Sequence, residues 1–366
     1  MSDSLPPRPD LGQLRHLAKE LKTAAQAGEP AALARIRAHL PTGQITLSAA
    51  QLAIAREHGF PNWPRLKAHV EASVTAERVR EFLNAITGGA RPRAAALLAR
   101  DPSIARYDFR TAVVLGDVPG VRDLLASDPA LASRPDPQTG WPPLLDACRS
   151  CWHRIAPIEL GPPLRHLDPA RSRDLAEVTR LLLDGGANPN TTVVTGWRSP
   201  THISALWAAV AHQNAAIIRL LLERGARPDH GTFAVAAVHP THLRLLLGYA
   251  SLPADSAVLS GPIDDGMTEA VRILLEAGAD PNRLLPGSTF RDVDPDEDFD
   301  EDKFFAAMER EYPPIHPLSA AVKSDAPAEL ITLLLEHGAF DSAAVALARR
   351  YYRTEIVELL ERFGHQ

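Results

Sequence analysis

The sequence predicts an all-α solenoid of paired short helices. Three observations predict it. One segment repeats: Leu181–Asn190 (LLLDGGANPN), Leu220–Asp229 (LLLERGARPD), Ile273–Asn282 (ILLEAGADPN) and Leu333–Ser342 (LLLEHGAFDS) share an apolar helix end and a glycine turn. Apolar residues fall at helical spacing before each turn. The composition is 45% hydrophobic but only 5% aromatic, which suits thin helical layers better than one large core. Two helices of about ten residues cannot bury both their stripes alone, so each unit needs stacked neighbours.

The clearest unit is Ser204–Asp229. Leu206, Ala209 and Val210 form the stripe of a first helix. Asn214 is placed to cap the second by accepting from a free amide. Ile217, Ile218, Leu221 and Leu222 form the second stripe, and Gly225 follows where a left-handed turn ends a helix. These motifs resemble ankyrin repeats. Ser204–Ala209, Pro142–Ala147 and His316–Ala321 stand at the family's Thr-Pro-Leu-His-x-Ala motif. Leu145, Trp207 and Ser319 replace its histidine. The second-half motif recurs in register and is the sharper match. The resemblance covers roughly 76–364, with seven or eight irregular repeats. It implies a non-catalytic scaffold that binds another protein through fingers and first helices lining a concave surface.

Taken in order, 1–10 reads as a disordered tail and 11–75 as a separate helical unit. Leu14, Leu17, Ala18 and Leu21 form its first stripe; Leu33, Ile36 and Leu40 a second; Ala50, Ile54 and Ala55 a third, closed by Gly59. Asn62 caps a fourth helix, with Pro64 in its first turn. Phe60 and Trp63 read as core anchors. This segment resembles the helical region that precedes many bacterial ankyrin arrays, and its expected role is to cap the open end. The array is expected over 76–366. Two divergent repeats end in Asp-Pro turns, Asp101–Ala105 (DPSIA) and Asp128–Ala132 (DPALA). Two full repeats follow, about Pro135–Asn190 and Thr191–His230. Then come two weak ones, about Gly231–Tyr249 and Ser251–Leu285, and a closing pair from Pro313 to Gly364.

Two insertions break the spacing, near 148–173 and 287–312. Cys148–Arg173 lies between the helices of one repeat and contains Cys148, Cys151, Trp152, His153 and His166. A redox pair would need a βαβ setting, and haem attachment needs histidine directly after the second cysteine. Zinc needs two more ligands than the cysteines, and His153 and His166 make no known spacing. The plainest reading is two half-buried cysteines one helical turn apart; the alternative is a metal-dependent regulator or enzyme built on Cys148–His166. Gly287–Tyr312 falls where a projecting finger would stand. Its run Asp292–Asp302 opens like a calcium loop but has Glu297 and Lys303 where glycine and glutamate are required. It reads as a solvated acidic loop or as a contact for a basic partner, with Phe299, Phe304 and Phe305 as anchors.

Contact candidates are Trp141, Trp197, Arg198, Phe233, Phe290, Arg291, Asp294, Asp296, Asp298 and Phe299, because aromatic and arginine side chains dominate many interfaces. Trp141 and Trp197 could equally pack along their own hairpins. Trp207 reads as structural, and His239-Pro240-Thr241-His242 as a helix entry. No nucleophile elbow, phosphate loop, dinucleotide fingerprint or zinc-protease motif is present. No catalytic residue, cofactor or metal is therefore expected. The net charge of −6 points away from nucleic acid and anionic membranes. The arginine bias, with lysine only at 19, 22, 67, 303 and 323, reads as a GC-rich bacterial genome. With no apolar leader and no span of ~20 apolar residues, a cytoplasmic monomer is expected.

Overall fold

A computed structural model describes residues 5–6, 9–154, 174–195, 201–253, 257–286 and 313–364. The chain divides into two compact units. Trp197, Arg198, His166, Phe290, Arg291, Asp294, Asp296, Asp298, Phe299 and the rest of the acidic insertion lie outside the described residues.

The first unit runs to Thr111. It contains α1 (Leu11–Gln26), α2 (Pro30–His39), α3 (Leu47–Glu57), α4 (Trp63–Thr87) and α5 (Arg91–Arg100). Asp10, Thr46 and Asn62 cap α1, α3 and α4 through side-chain oxygens that accept from free amides. The buried row of α1 is Leu14, Ala18, Leu21 and Ala25. Leu17, expected in that row, is 50% exposed because the buried spacing drifts by one position from it. These side chains join Ile36, Ala50, Ile54, Leu66 and Val70 in one core, and Phe60 and Trp63 pack partly buried against it.

The expected boundary at 75 needs correction. It falls inside α4, a single helix of 25 residues. Between Pro64 in its first turn and Gly88 at its end there is neither proline nor glycine to stop it. Its first half, with Leu66 and Val70, belongs to the α1–α3 core. Its second half buries Val79, Phe82, Leu83 and Ile86 and packs on α5. The Asp-Pro turn after α5 forms as expected: Asp101 accepts from the amide of Ser103 and caps a short 3-10 turn over Pro102–Arg106.

The helix α6 (Phe109–Leu115) leads into the second unit, which begins at Ala112. It continues with α7 (Val118–Ser127), α8 (Pro143–Arg149) and α9 (Leu175–Asp184). A two-stranded ribbon, β1 (Thr192–Thr195) and β2 (Thr201–Ser204), comes next. The helix pairs α10 (Ala205–Ala211) with α11 (Ala215–Glu223), α12 (His230–Ala236) with α13 (Pro240–Leu247), and α14 (Ser260–Asp264) with α15 (Thr268–Glu276) follow. The unit closes with α16 (Pro317–Lys323), α17 (Ala328–Glu336), α18 (Ala344–Arg350) and α19 (Thr354–Gly364).

First helices stack on first helices: α8 on α10 on α12, and α14 on α16 on α18. Second helices form the other layer, α7, α9, α11, α13, α15, α17 and α19. The array is an all-α ankyrin-type solenoid. Stacking explains why α10 buries more than a stripe: Ala205, Leu206, Ala208, Ala209 and Val210 are all inside, because α8, α11 and α12 surround it.

Two left-handed turns recur in most repeats; α12–α13 has neither, its Gly248 holding φ of −68°. The glycine turn after the second helix is left-handed, with φ of +95° at Gly186 and +84° at Gly225. The turn between the two helices also needs a left-handed residue. It is glycine at Gly116 and Gly266, but Gln213, Asp325 and Tyr352 hold φ of 59°, 55° and 57° at the same place.

Asparagine replaces the missing motif histidine as a tie between repeats. Asn190 donates to Gly225 O at 3.0 Å and accepts from Arg227 N at 2.9 Å. Asn282 donates to Gly338 O at 2.8 Å and accepts from Phe340 N at 2.7 Å. Surface ion pairs run along the second helices, Arg122–Glu177, Arg224–Asp184, and Arg244–Glu269–Arg272–Glu329. Being largely exposed, each contributes about 0–1 kcal/mol.

Candidate protein-contact site

Three projections precede first helices of the second unit. The first is the turn Asp136–Trp141. The Asp136 carboxylate accepts from Gln138 N, Thr139 N and the Thr139 hydroxyl at 3.1, 2.8 and 2.8 Å. Its amide donates to Trp141 O at 3.0 Å, and Gly140, at φ +72°, donates back to Asp136 O at 2.8 Å. One aspartate thus shapes the turn and delivers Trp141 to the start of α8. Trp141 is half-buried, with the Arg149 guanidinium 4.1 Å from its ring centroid. That stacking is a cation–π contact and keeps one ring face engaged inside its own repeat.

The second projection is the ribbon. Thr192 pairs with Ser204 and Thr195 with Thr201, and Ala205 N closes the base on Thr191 O at 3.2 Å. Ser204 then caps α10, accepting from Trp207 N at 3.0 Å. Val194 on the ribbon is 58% exposed.

The third is the base of the acidic insertion. Leu285 and Ile315 exchange two backbone bonds, of 2.8 and 3.0 Å, as one antiparallel bridge. Leu285 is buried, so the bridge is anchored in the core. Around it the chain exposes Leu284 (48%) and Phe340 (74%), and Asn282 ties to the Phe340 amide. Neither was a candidate from sequence. The signal was there for Phe340: in GAFDS an apolar ring takes a turn position that is polar in GANPN and GADPN.

Phe233 is not a contact residue. No finger precedes α12; Asp229 caps it directly, accepting from Thr232 N at 2.8 Å. Phe233 is therefore an inward helix position, with 0% exposure. Trp207 is half-buried against the Gly231 turn. Pro240 opens α13, as the helix-entry reading expects.

The cysteine reading also needs correction. Cys148 and Cys151 are both 1% exposed rather than half-buried, and Cys151 lies beyond the end of α8, so the two do not share a helical turn. Burial pushes the Cys148 thiol far above its ordinary range, which disfavours the thiolate that metals and electrophiles need. Among the described residues no group of three histidine, cysteine or carboxylate side chains could hold a metal. No described helix is long and apolar enough to cross a membrane.

No family model matches the chain, and no curated protein does. Among solved structures, the ankyrin repeat domain of human ASB11 is 18% identical, with a TM-score of 0.41; 67% of this chain and 98% of that one are covered. The ankyrin repeat domain of Bcl-3 is 18% identical, with a TM-score of 0.36 and coverage of 69% and 97%. Likenesses this distant bear neither on fold nor on partner. The ankyrin-type architecture rests on the repeated helix pairs, glycine turns and asparagine ties within this chain.

Proposed function

We propose that the protein is a non-catalytic scaffold that binds another protein through these projections and the first helices beside them. The observation that carries the proposal is positional. The Trp141 turn, the ribbon leading to Trp197 and Arg198, and the bridge that launches the acidic insertion all stand immediately before a first helix. An array of prearranged elements loses little conformational entropy on binding. The partner surface is basic, with Asp294, Asp296 and Asp298 supplying charge and Phe290, Phe299 and Arg291 supplying contact area. The exposed Phe340 and Leu284 at the insertion's base extend that surface.

The test is affinity capture from lysate with the wild-type chain beside a deletion of Asp292–Asp302, each at low and raised salt. A stoichiometric protein held by the wild type, and lost with the deletion or with salt, supports the acidic selection. Equal recovery under all conditions removes that selection and moves the contact to Trp141 and the ribbon. No recovered protein with either chain refutes the scaffold reading.

A further inference from the structure

The repeat α12–α13 is thinly held in one layer at each side, although α12 packs on α10 and α13 on α15. First-helix packing is close from α8 through α10 to α12 and again from α14 through α16 to α18, but sparse between α12 and α14. The second helices are also thinly joined between α11 and α13. Neither asparagine tie reaches this repeat: Asn190 locks the repeat before α12, and Asn282 locks the one after α15. Its helices are short, seven residues in α12 and eight in α13.

Two histidines stand where this repeat meets the preceding one. His239 caps α13 and His242 is in its first turn, with ring centroids 5.5 Å apart at an interplanar angle of 72°. The His239 Nε2 meets the side-chain amide of Gln213 at 2.5 Å, reaching the inter-helix turn of the preceding repeat. Gln213 is itself held at a positive φ. His242 Nδ1 is buried without a hydrogen-bond partner. A proton on the His242 ring would sit against the His239 ring, at a helix N-terminus whose dipole repels cations.

We propose that the repeat His230–Leu247 is an acid-sensitive hinge, released when the buried His242 ring takes up a proton beside His239. The repeats on either side stay folded, and the array bends or opens between α11 and α15. Burial, and then the neighbouring His239, hold the His242 ring below the ordinary histidine range. The charged groups on the packed second helices belong to α11 and α15. Arg219 and Glu223 on α11, and Glu269, Arg272 and Glu276 on α15, are absent from the influences on this ring. Glu269 is held by Arg244 and Arg272. The sign follows: the unfolded repeat binds protons more readily, so its stability is intact above the unfolded histidine pKa of about 6.5 and falls as pH drops below it.

Amide hydrogen exchange on the full chain tests this at pH 7.5 and 5.5, with rates corrected for intrinsic pH dependence. Exchange in His230–Leu247 should quicken at least about threefold at pH 5.5 while α18 and α19 hold constant, because these carry no histidine. The variant His242→Gln should lose more than half of that response. Uniform quickening along the array, no quickening, or an undiminished response in the variant would each overturn the proposal. Should His242→Gln not fold, the ring titration of His242 in the wild type decides: a midpoint below that of histidines in the unfolded chain upholds the hinge, and one at or above it refutes it.

Discussion

Replacing Arg353 by alanine should detach the last repeat from the array. The side chain is only 15% exposed and leaves the α18–α19 turn to reach the end of α16. There it donates to Ala321 O and Val322 O at 3.3 Å each, and to Ala326 O at 2.5 Å. They lie at a helix end, where carbonyls lack the next turn's amides, although Ala321 O also accepts from Ala326 N at 3.0 Å. A hydrogen bond to a charged group contributes about 1.5–3 kcal/mol. The two longer contacts lie beyond the usual optimum and add little. The Asp325 carboxylate, 91% exposed, also adds little. The expected loss is therefore about 2–3 kcal/mol, confined to the interface between neighbouring repeats. At ~1.4 kcal/mol per tenfold, amide exchange in α18 and α19 should quicken roughly 30- to 150-fold, while α8 to α11 stay unchanged. Arg353→Lys, a point charge that cannot span three carbonyls, should fall between. If Arg353→Ala leaves exchange in α18 and α19 as in the wild type, the clip contributes nothing and the argument fails.

Tyr352→Gly should stabilise by up to about 1 kcal/mol, seen as a raised Tm, because it relieves a left-handed residue whose ring is 76% exposed. Asn282→Ala should cost about 1–2 kcal/mol, read in urea unfolding, through loss of both bonds to Gly338 and Phe340. Asp101 is held below the usual carboxylate range, first by the Ser103 hydroxyl and then by Arg78. Its contribution should be full at neutral pH and vanish as pH falls through its folded pKa, so Asp101→Asn should flatten the acid limb of the Tm profile. Cys148 and Cys151 should resist a thiol reagent in the folded chain and react fully in denaturant.

Periodicity made the second helices legible, because LLL followed by a glycine turn couples an apolar face to its stop signal. Caps were legible for the same reason: Asn62, Asn214 and the Asp-Pro aspartates act locally, and their amides lie within three residues. What failed was whatever depends on partners distant in sequence. Phe233 looks exposed only if a finger precedes α12, but Asp229 caps the helix at once, and Phe233 is buried by the helices stacked around it. The division at 75 followed four helical stripes and a resemblance to a segment that precedes the array, yet α4 continues across it to Thr87. Phe340 stands in a segment that matches the repeat motif as a whole, and its exposure depends on the turn's place at the edge of the array.

The bridge between Leu285 and Ile315, with the Asn282 tie to Gly338, fixes where the chain leaves the array and where it rejoins. Stacking of α15 on α17 is thereby made independent of what lies between those two points. Loop closure grows only slowly with length, about 0.6 kcal/mol for each doubling. The insertion is in effect an exchangeable cartridge: a different segment could be spliced between Pro286 and Pro313 and the repeats beneath would keep their register. Change at this one point then leaves the packing of the repeats beneath it untouched.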